Sequence, residues 1–330
     1  MIGVFKQKSP GNVAVLFIFS LLLKLPMFLY PKDAVATVND GRLYHWLIEL
    51  LPRGSSILYS VIAFILLYIQ ALMVNYVINE YRMITRQNFL PAMAFMLITT
   101  LLPEWNYLSA PLLSNTLVIW IFIYLFRLYN APNAKGHIYN IGLIAGINSY
   151  IFFPSLVFVV CILLGLMILK PFRLNEMILF ILGCLTPYYF HAIYLFLASE
   201  LSFSNFLPHL AVDLPFLENS LWLAASTLLL SVPFLVGGYF VQTHLRKMLI
   251  QVRKNWSIVL LYLLLSLFVP FINSAETYHT WVMIAAPFAA FHACTYFYAK
   301  RWVSLLIFFI TLCFILYLEY GTMMWHEKLS

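Results

Sequence analysis

Charge is what this chain has least of: Asp, Glu, Lys and Arg make up 9% of 330 residues, whereas 63% are hydrophobic, and the mean hydropathy is +0.91. So little polar surface cannot cover a soluble core, which excludes an ordinary soluble domain and leaves a polytopic membrane protein. Cysteine is also scarce. Cys161, Cys184, Cys294 and Cys313 fall inside apolar runs without the paired spacing of a disulfide or zinc site, so they read as packing or lipid-facing residues. The first apolar run has a basic start but no small-x-small cleavage site, and Lys24, Pro26 and Pro31 interrupt the pattern; it is expected to remain as the first helix rather than leave as a signal peptide. Internal repeats are absent, and the deep helix interiors are nearly free of charge, which weighs against ion-coupled transport.

What is present is a series of apolar spans, each near the roughly 17 to 25 residues a bilayer crossing needs. They run over 12–30, 56–79, 88–103, 110–128, 138–152, 154–169, 176–197, 220–241, 256–273, 280–298 and 302–320. The expected fold is therefore an all-α polytopic membrane protein of about eleven transmembrane helices, one domain over 1–330. The boundary at Phe153 and Pro154 is also readable as one long kinked helix over 138–169.

The few charges are sorted. With the N-terminus cytoplasmic, the inner loops carry Lys6, Lys8, Arg82, Arg86, Arg127, Lys135, Lys170, Arg173, Arg246, Lys247, Arg253, Lys254, Lys300 and Arg301 against only Glu80 and Glu176. The outer loops and helix ends hold Asp33, Asp40, Glu49, Glu104, Glu200, Asp213, Glu218, Glu276, Glu319 and Glu327 against Lys24, Lys32, Arg42, Arg53 and Lys328. The Lys/Arg bias is the topology rule, and it predicts N-in, C-out with an odd helix count. The net charge of +7 then needs no nucleic acid, because the basic residues anchor the chain beside anionic headgroups.

Three loops stand out: an outer loop over 31–55, a second over 199–219, and a basic cytoplasmic loop over 242–255. In the first, Asn39-Asp40-Gly41 signals a turn and helix start. Leu43, Trp46, Leu47, Leu50 and Leu51 then recur at helical spacing opposite Arg42, His45 and Glu49, the pattern of a short amphipathic helix in the outer interface. Asp40 at its head reads either as a helix cap or as a carboxylate at membrane level. In the fifth span Gly142 and Gly146 make a small-xxx-small step, read as close helix packing.

From the first to the sixth span the chain resembles the GT-C superfamily of multi-pass glycosyltransferases, which use polyprenyl-phosphate-linked sugars. The likeness rests on Lys24-Leu25-Pro26, on Asn39-Asp40-Gly41-Arg42-Leu43-Tyr44, and on Ser109-Ala110-Pro111-Leu112-Leu113 leading to Arg127 and then Gly142-Leu143-Ile144-Ala145-Gly146. The chain departs from that pattern at Asn39, where many members carry a second acid, and at Asn148-Ser149-Tyr150, where a lysine is common. The stretch Phe5-Lys6-Gln7-Lys8-Ser9-Pro10-Gly11-Asn12 also resembles a multi-pass family of Bacteroidota that implies no particular activity.

The GT-C resemblance implies a protein of a bacterial cytoplasmic (inner) membrane that transfers a sugar on the outer side. It makes Asp40 the base that takes a proton from the acceptor. Lys24 and Arg42 become the cations that meet the leaving lipid phosphate, unless Lys24 only snorkels to the interface. Tyr44 and His45, with Glu104-Trp105 and Glu276…His279, are the candidate substrate-binding residues; the two latter sites also read as ordinary interfacial loops. No cofactor is required. The outer histidines lack helix-borne metal spacing, so no metal site is predicted, although a divalent ion held by distant loops stays open. The partners implied are a lipid-linked sugar donor, an unidentified acceptor and membrane lipids. A non-catalytic membrane subunit, holding protein partners through the loops at 199–220 and 243–255, is the rival reading, with a lipid flippase or scramblase as another.

Overall fold

The computed structural model describes the chain except residues 1, 8, 10, 38, 39, 53, 133, 200–210, 216–219, 274–277 and 330, and the side chains of 321–329. Among the described residues the regular structure is helical: α1 (Ile2–Phe5), α2 (Gly11–Leu23), α3 (Leu25–Leu29), α4 (Arg42–Glu49), α5 (Ser56–Glu80), α6 (Leu90–Thr100), α7 (Ala110–Arg127), α8 (Lys135–Ile151), α9 (Val157–Leu169), α10 (Leu174–Leu197), α11 (Leu221–Leu245), α12 (Ile250–Ser266), α13 (Ala285–Tyr298) and α14 (Arg301–Leu329). Seven spans among the described residues are long and apolar enough to cross a bilayer, namely α5, α7, α10, α11, α12 extended to Phe271, α13 extended from His279, and α14 up to Tyr320. The protein is a multi-pass membrane protein.

Several expected spans are shorter or broken. The first divides at Lys24 into α2 and α3, with Pro26 in the opening turn of α3, where its missing N–H costs nothing. The boundary at Phe153 and Pro154 is a true break, because a 3₁₀ turn over Phe153–Leu156 separates α8 from α9. Two further 3₁₀ turns, Pro103–Asn106 after α6 and His279–Ile284 before α13, interrupt the α-helical backbone and bury Trp105, Asn106, His279 and Thr280. Non-α backbone is tolerated at membrane depth only where protein encloses it or water reaches it.

The centre of the bundle is α6 with α13. Every residue of α6 is buried, and α13 is buried from Ala285 to Tyr296. Lipid offers no hydrophobic drive for helix association, so close packing of small side chains carries it, and Ala285, Ala286, Ala289, Ala290 and Ala293 supply them on α13. At its N-terminal end α6 receives α1, with the Phe89 N–H donating to Phe5 O at 2.7 Å. Around this pair stand α2, α5, α11 and α14, while α10 packs along α8. A Cβ at Gly142 would lie 2.2 Å from Phe180 O, and one at Gly183 2.4 Å from Tyr139 O, so the two helices touch backbone to backbone. The expected packing role of Gly142 and Gly146 holds, Gly142 facing Gly183 and Gly146 facing Cys184 O and the Pro187 ring.

The two ends of the bundle differ in chemistry. At one, here the basic face, Trp256 Nε1–H donates to Met83 O (3.2 Å), Lys254 Nζ to Leu169 O (3.1 Å) and Lys6 Nζ to Phe297 O (3.4 Å). Glu176, one of the two acids expected there, is neutralised by Lys170 at 3.0 Å. The basic loop is shorter than its expected 242–255: α11 runs to Leu245 and α12 starts at Ile250, so Arg253 and Lys254 sit on the first turn of a helix. The opposite end is the α4 face. There, residues 211–213 of the second long loop lie against 271–273, with Asp213 N–H bonded to Phe271 O (3.0 Å) and Asn273 N–H to Ala211 O (2.8 Å). The remainder of that loop, 200–210 and 216–219, lies outside the described residues.

Candidate functional site on the α4 face

The segment leading to α4 is stitched to the turn before α7. Val35 N–H donates to Leu108 O at 2.9 Å, and the Tyr44 hydroxyl bonds Val35 O (2.8 Å) and Leu108 O (3.1 Å). Tyr44 is only 1% exposed, and burial together with the nearby Asp40 charge pushes its phenol well above the ordinary value. It therefore anchors α4 to the protein. Trp46 and Leu50 are exposed on the other side, and the amphipathic pattern gave no sign of the tyrosine that holds the helix to the protein.

Asp40 does not cap α4. The N-cap is Gly41, with no side-chain cap bond, and Asp40 Oδ2 instead accepts the Thr37 N–H at 2.7 Å while its own N–H donates to Thr37 O. The carboxylate thus closes the turn on which α4 begins. Burial raises its pKa above the ordinary aspartate value, the Thr37 hydrogen bonds and the nearby His45 opposing that shift.

Gly41 bridges to α8: its N–H donates to Ile151 O (3.0 Å), and a Cβ there would lie 1.9 Å from Tyr150 O. This contact sets Arg42, the first residue of α4, across from α10. Arg42 Nη1 lies 3.4 Å from His191 Nε2, His191 Nδ1 lies 3.2 Å from the Tyr150 hydroxyl, and Ser149 Oγ lies 2.6 Å from the Tyr188 hydroxyl. At the same α8–α9 break, Asn148 Oδ1 and Ser155 Oγ are buried without a protein hydrogen-bond partner among the described residues, as are side-chain atoms of Ser20, Asn75, Ser114 and Asn255 elsewhere in the bundle. Asp40, Arg42, Tyr44 and His45 therefore share one patch with Tyr150, Tyr188 and His191. Tyr188 and His191 escape sequence reasoning because they lie in an apolar span; the signal available was an ionisable ring inside a membrane helix.

A second group forms around the turn after α6. Glu104 Oε2 accepts the Tyr278 N–H (2.6 Å) and lies 3.7 Å from His279 Nε2, whose Nδ1 is 2.8 Å from Glu104 O. Trp105 Nε1–H donates to Tyr278 O (2.9 Å) and is 1% exposed. The ring of Tyr107 packs on His279 with centroids 5.9 Å apart and takes the Lys32 ammonium 4.9 Å from its centre. Glu104, Trp105 and His279, expected as substrate contacts, thus bind one another and lock two chain segments together. Glu276 lies outside the described residues, as does Asn39.

Lys24 is tied to the last residue of the turn after α6 and does not snorkel. Its side chain is 1% exposed and its ammonium donates to Asn106 Oδ1, while Asn106 Nδ2 donates to Glu319 Oε1 of α14 at 3.1 Å. A lysine and a glutamate of opposite charge, both in apolar spans, were the sequence signal for this pairing; the bridging Asn106 carried none. Among the described residues no group of three or more His, Cys, Asp and Glu is arranged to hold a metal ion. No protein-family model matches this chain, and neither a curated protein nor a solved structure does so.

Proposed function

We propose that the protein transfers a sugar from a polyprenyl-phosphate donor to an acceptor at the α4 face, with Asp40 as the general base. The observation that carries this reading is the juxtaposition at the foot of α4: a half-buried carboxylate of raised pKa two residues before an exposed arginine that reaches His191. In the reaction the acceptor hydroxyl attacks the anomeric carbon and gives its proton to the Asp40 carboxylate. The bond from that carbon to the phosphate oxygen breaks, and the charge left on the lipid phosphate is met by Arg42. His45, Tyr150, Tyr188 and His191 supply polar and aromatic surface for the sugar. Lys24, enclosed with Asn106 and Glu319, is given no part in phosphate binding.

The sorted basic residues support a cytoplasmic N-terminus, eleven crossings in all and an extracytoplasmic α4 face of a bacterial inner membrane. The test is lipid-linked glycan profiling in a strain lacking the protein, complemented with wild type or Asp40→Asn. Accumulation of one lipid-linked intermediate in the deletion, relieved by wild type and not by a stably inserted Asp40→Asn, is the expected result. Full complementation by Asp40→Asn would overturn the catalytic reading in favour of a non-catalytic subunit.

A further inference from the structure

On the flank of the bundle, α5 and α7 enclose a groove open to the surroundings and lined by Met73, Tyr76, Thr116, Trp120, Tyr124 and Arg127. Arg127 ends α7 at the basic face. Its Nη2 donates to the Tyr76 hydroxyl at 3.3 Å, and its guanidinium stands 5.4 Å from the centre of the Tyr124 ring. Among the described residues, no carboxylate lies within 4.0 Å of it. Tyr76 and Trp120 remain 40% and 42% exposed, so the wall of the groove faces the membrane rather than another helix.

The dimensions point to an occupant. From Arg127 back to Thr116 the groove follows α7 for about 16 Å at the helical rise. That matches one leaflet, about half of a hydrocarbon core roughly 30 Å thick. A cation with a hydroxyl donor beside it stands at headgroup level, and an apolar and aromatic trough runs from there to mid-bilayer. We propose that this groove binds an anionic phospholipid of the leaflet on the basic face, its phosphate on Arg127 and Tyr76 and one acyl chain along Met73, Thr116 and Trp120. The site is separate from the α4 face and does not depend on the sugar-transfer reading.

Native mass spectrometry of the full-length protein in detergent tests it, using phosphatidylglycerol, phosphatidylcholine and glycerol phosphate as probes. Wild type should retain phosphatidylglycerol in preference to phosphatidylcholine, and glycerol phosphate should not displace it, because the chain supplies part of the binding. Arg127→Gln should weaken phosphatidylglycerol binding about fivefold, the worth of one basic residue at a charged membrane surface, and Arg127→Lys should keep most of it. Tyr76→Phe, which removes only a hydroxyl, gives a second readout with less risk to folding and should produce a smaller loss. Unchanged phosphatidylglycerol binding in both Arg127→Gln and Tyr76→Phe, or ready displacement by glycerol phosphate, would overturn the proposal.

Discussion

At Asp40 the chemistry of the proposed base and the stability of the protein run in opposite directions. Its folded-state pKa is raised, so the protonated group contributes stability that is fully present below the unfolded value and is lost as pH rises through the folded one. Near neutral pH the charged carboxylate is therefore a burden on the fold. Asp40→Asn keeps an oxygen to accept the Thr37 N–H and removes that burden, so its melting temperature at pH 7 should equal or exceed that of wild type while transfer activity disappears. The same shift should place the acidic limb of the activity profile above the ordinary aspartate range, and a limb within that range would argue against Asp40 as the base. Gly41 makes a different residue-scale prediction. A Cβ there meets a backbone oxygen rather than a side chain that can swing away. Gly41→Ala should cost about 1 to 3 kcal/mol, typical of overpacking, and lower activity by moving Arg42 away from His191; denaturant melts and transfer assays would check both.

Among the elements, the turn after α6 has an importance out of proportion to its length. Glu104 and Trp105 hold the segment before α13, Asn106 holds Lys24 and Glu319, and Tyr107 holds Lys32 and His279. One short turn thereby ties the α2–α3 junction, the segment before α13, and α14 together. Lys24 is buried on Asn106, which in turn bonds the half-buried Glu319, so Lys24→Met strands the Asn106 oxygen and removes the cation facing Glu319, and should destabilise by about 1 to 3 kcal/mol. Adding Glu319→Gln should restore most of the loss, because the amide oxygen still accepts from Asn106 without a stranded charge. Melts of the two single variants and the double variant measure this coupling directly. If the double variant is no more stable than Lys24→Met, Glu319 is not the compensating charge.

For the whole molecule, the α4 face and the basic face divide the work. The first holds Asp40, Glu104, His191 and His279; the second holds Arg127, Lys170, Arg173, Arg253 and Lys254, Glu176 being neutralised locally by Lys170. If the proposed orientation holds, a reporter active only outside the cytoplasm should work when fused after Leu51 and at the C-terminus. One active only in the cytoplasm should work when inserted after Lys247. The reverse pattern would put Asp40 on the cytoplasmic side and remove an extracytoplasmic donor from consideration.

Hydropathy was enough to make this a helical multi-pass membrane protein and to place most of its apolar segments, because it depends on local transfer free energy and helix period, although the helix expected from 256 starts at Ile250 and the one expected to end at 320 runs to Leu329. It also singled out the helix after Asp40, whose amphipathic stripe is written along one element. Which face of α4 is anchored, why Asp40 turns back to Thr37, and how Arg42 comes to face His191 depend on Tyr44 and Gly41 meeting α7 and α8, contacts between residues far apart in the chain. For Lys24, an isolated span allows either snorkelling or burial; the choice was made by Asn106 and Glu319, which arrive from other parts of the sequence. Non-local packing of this kind has no periodic signature, and so only the folded chain decides it.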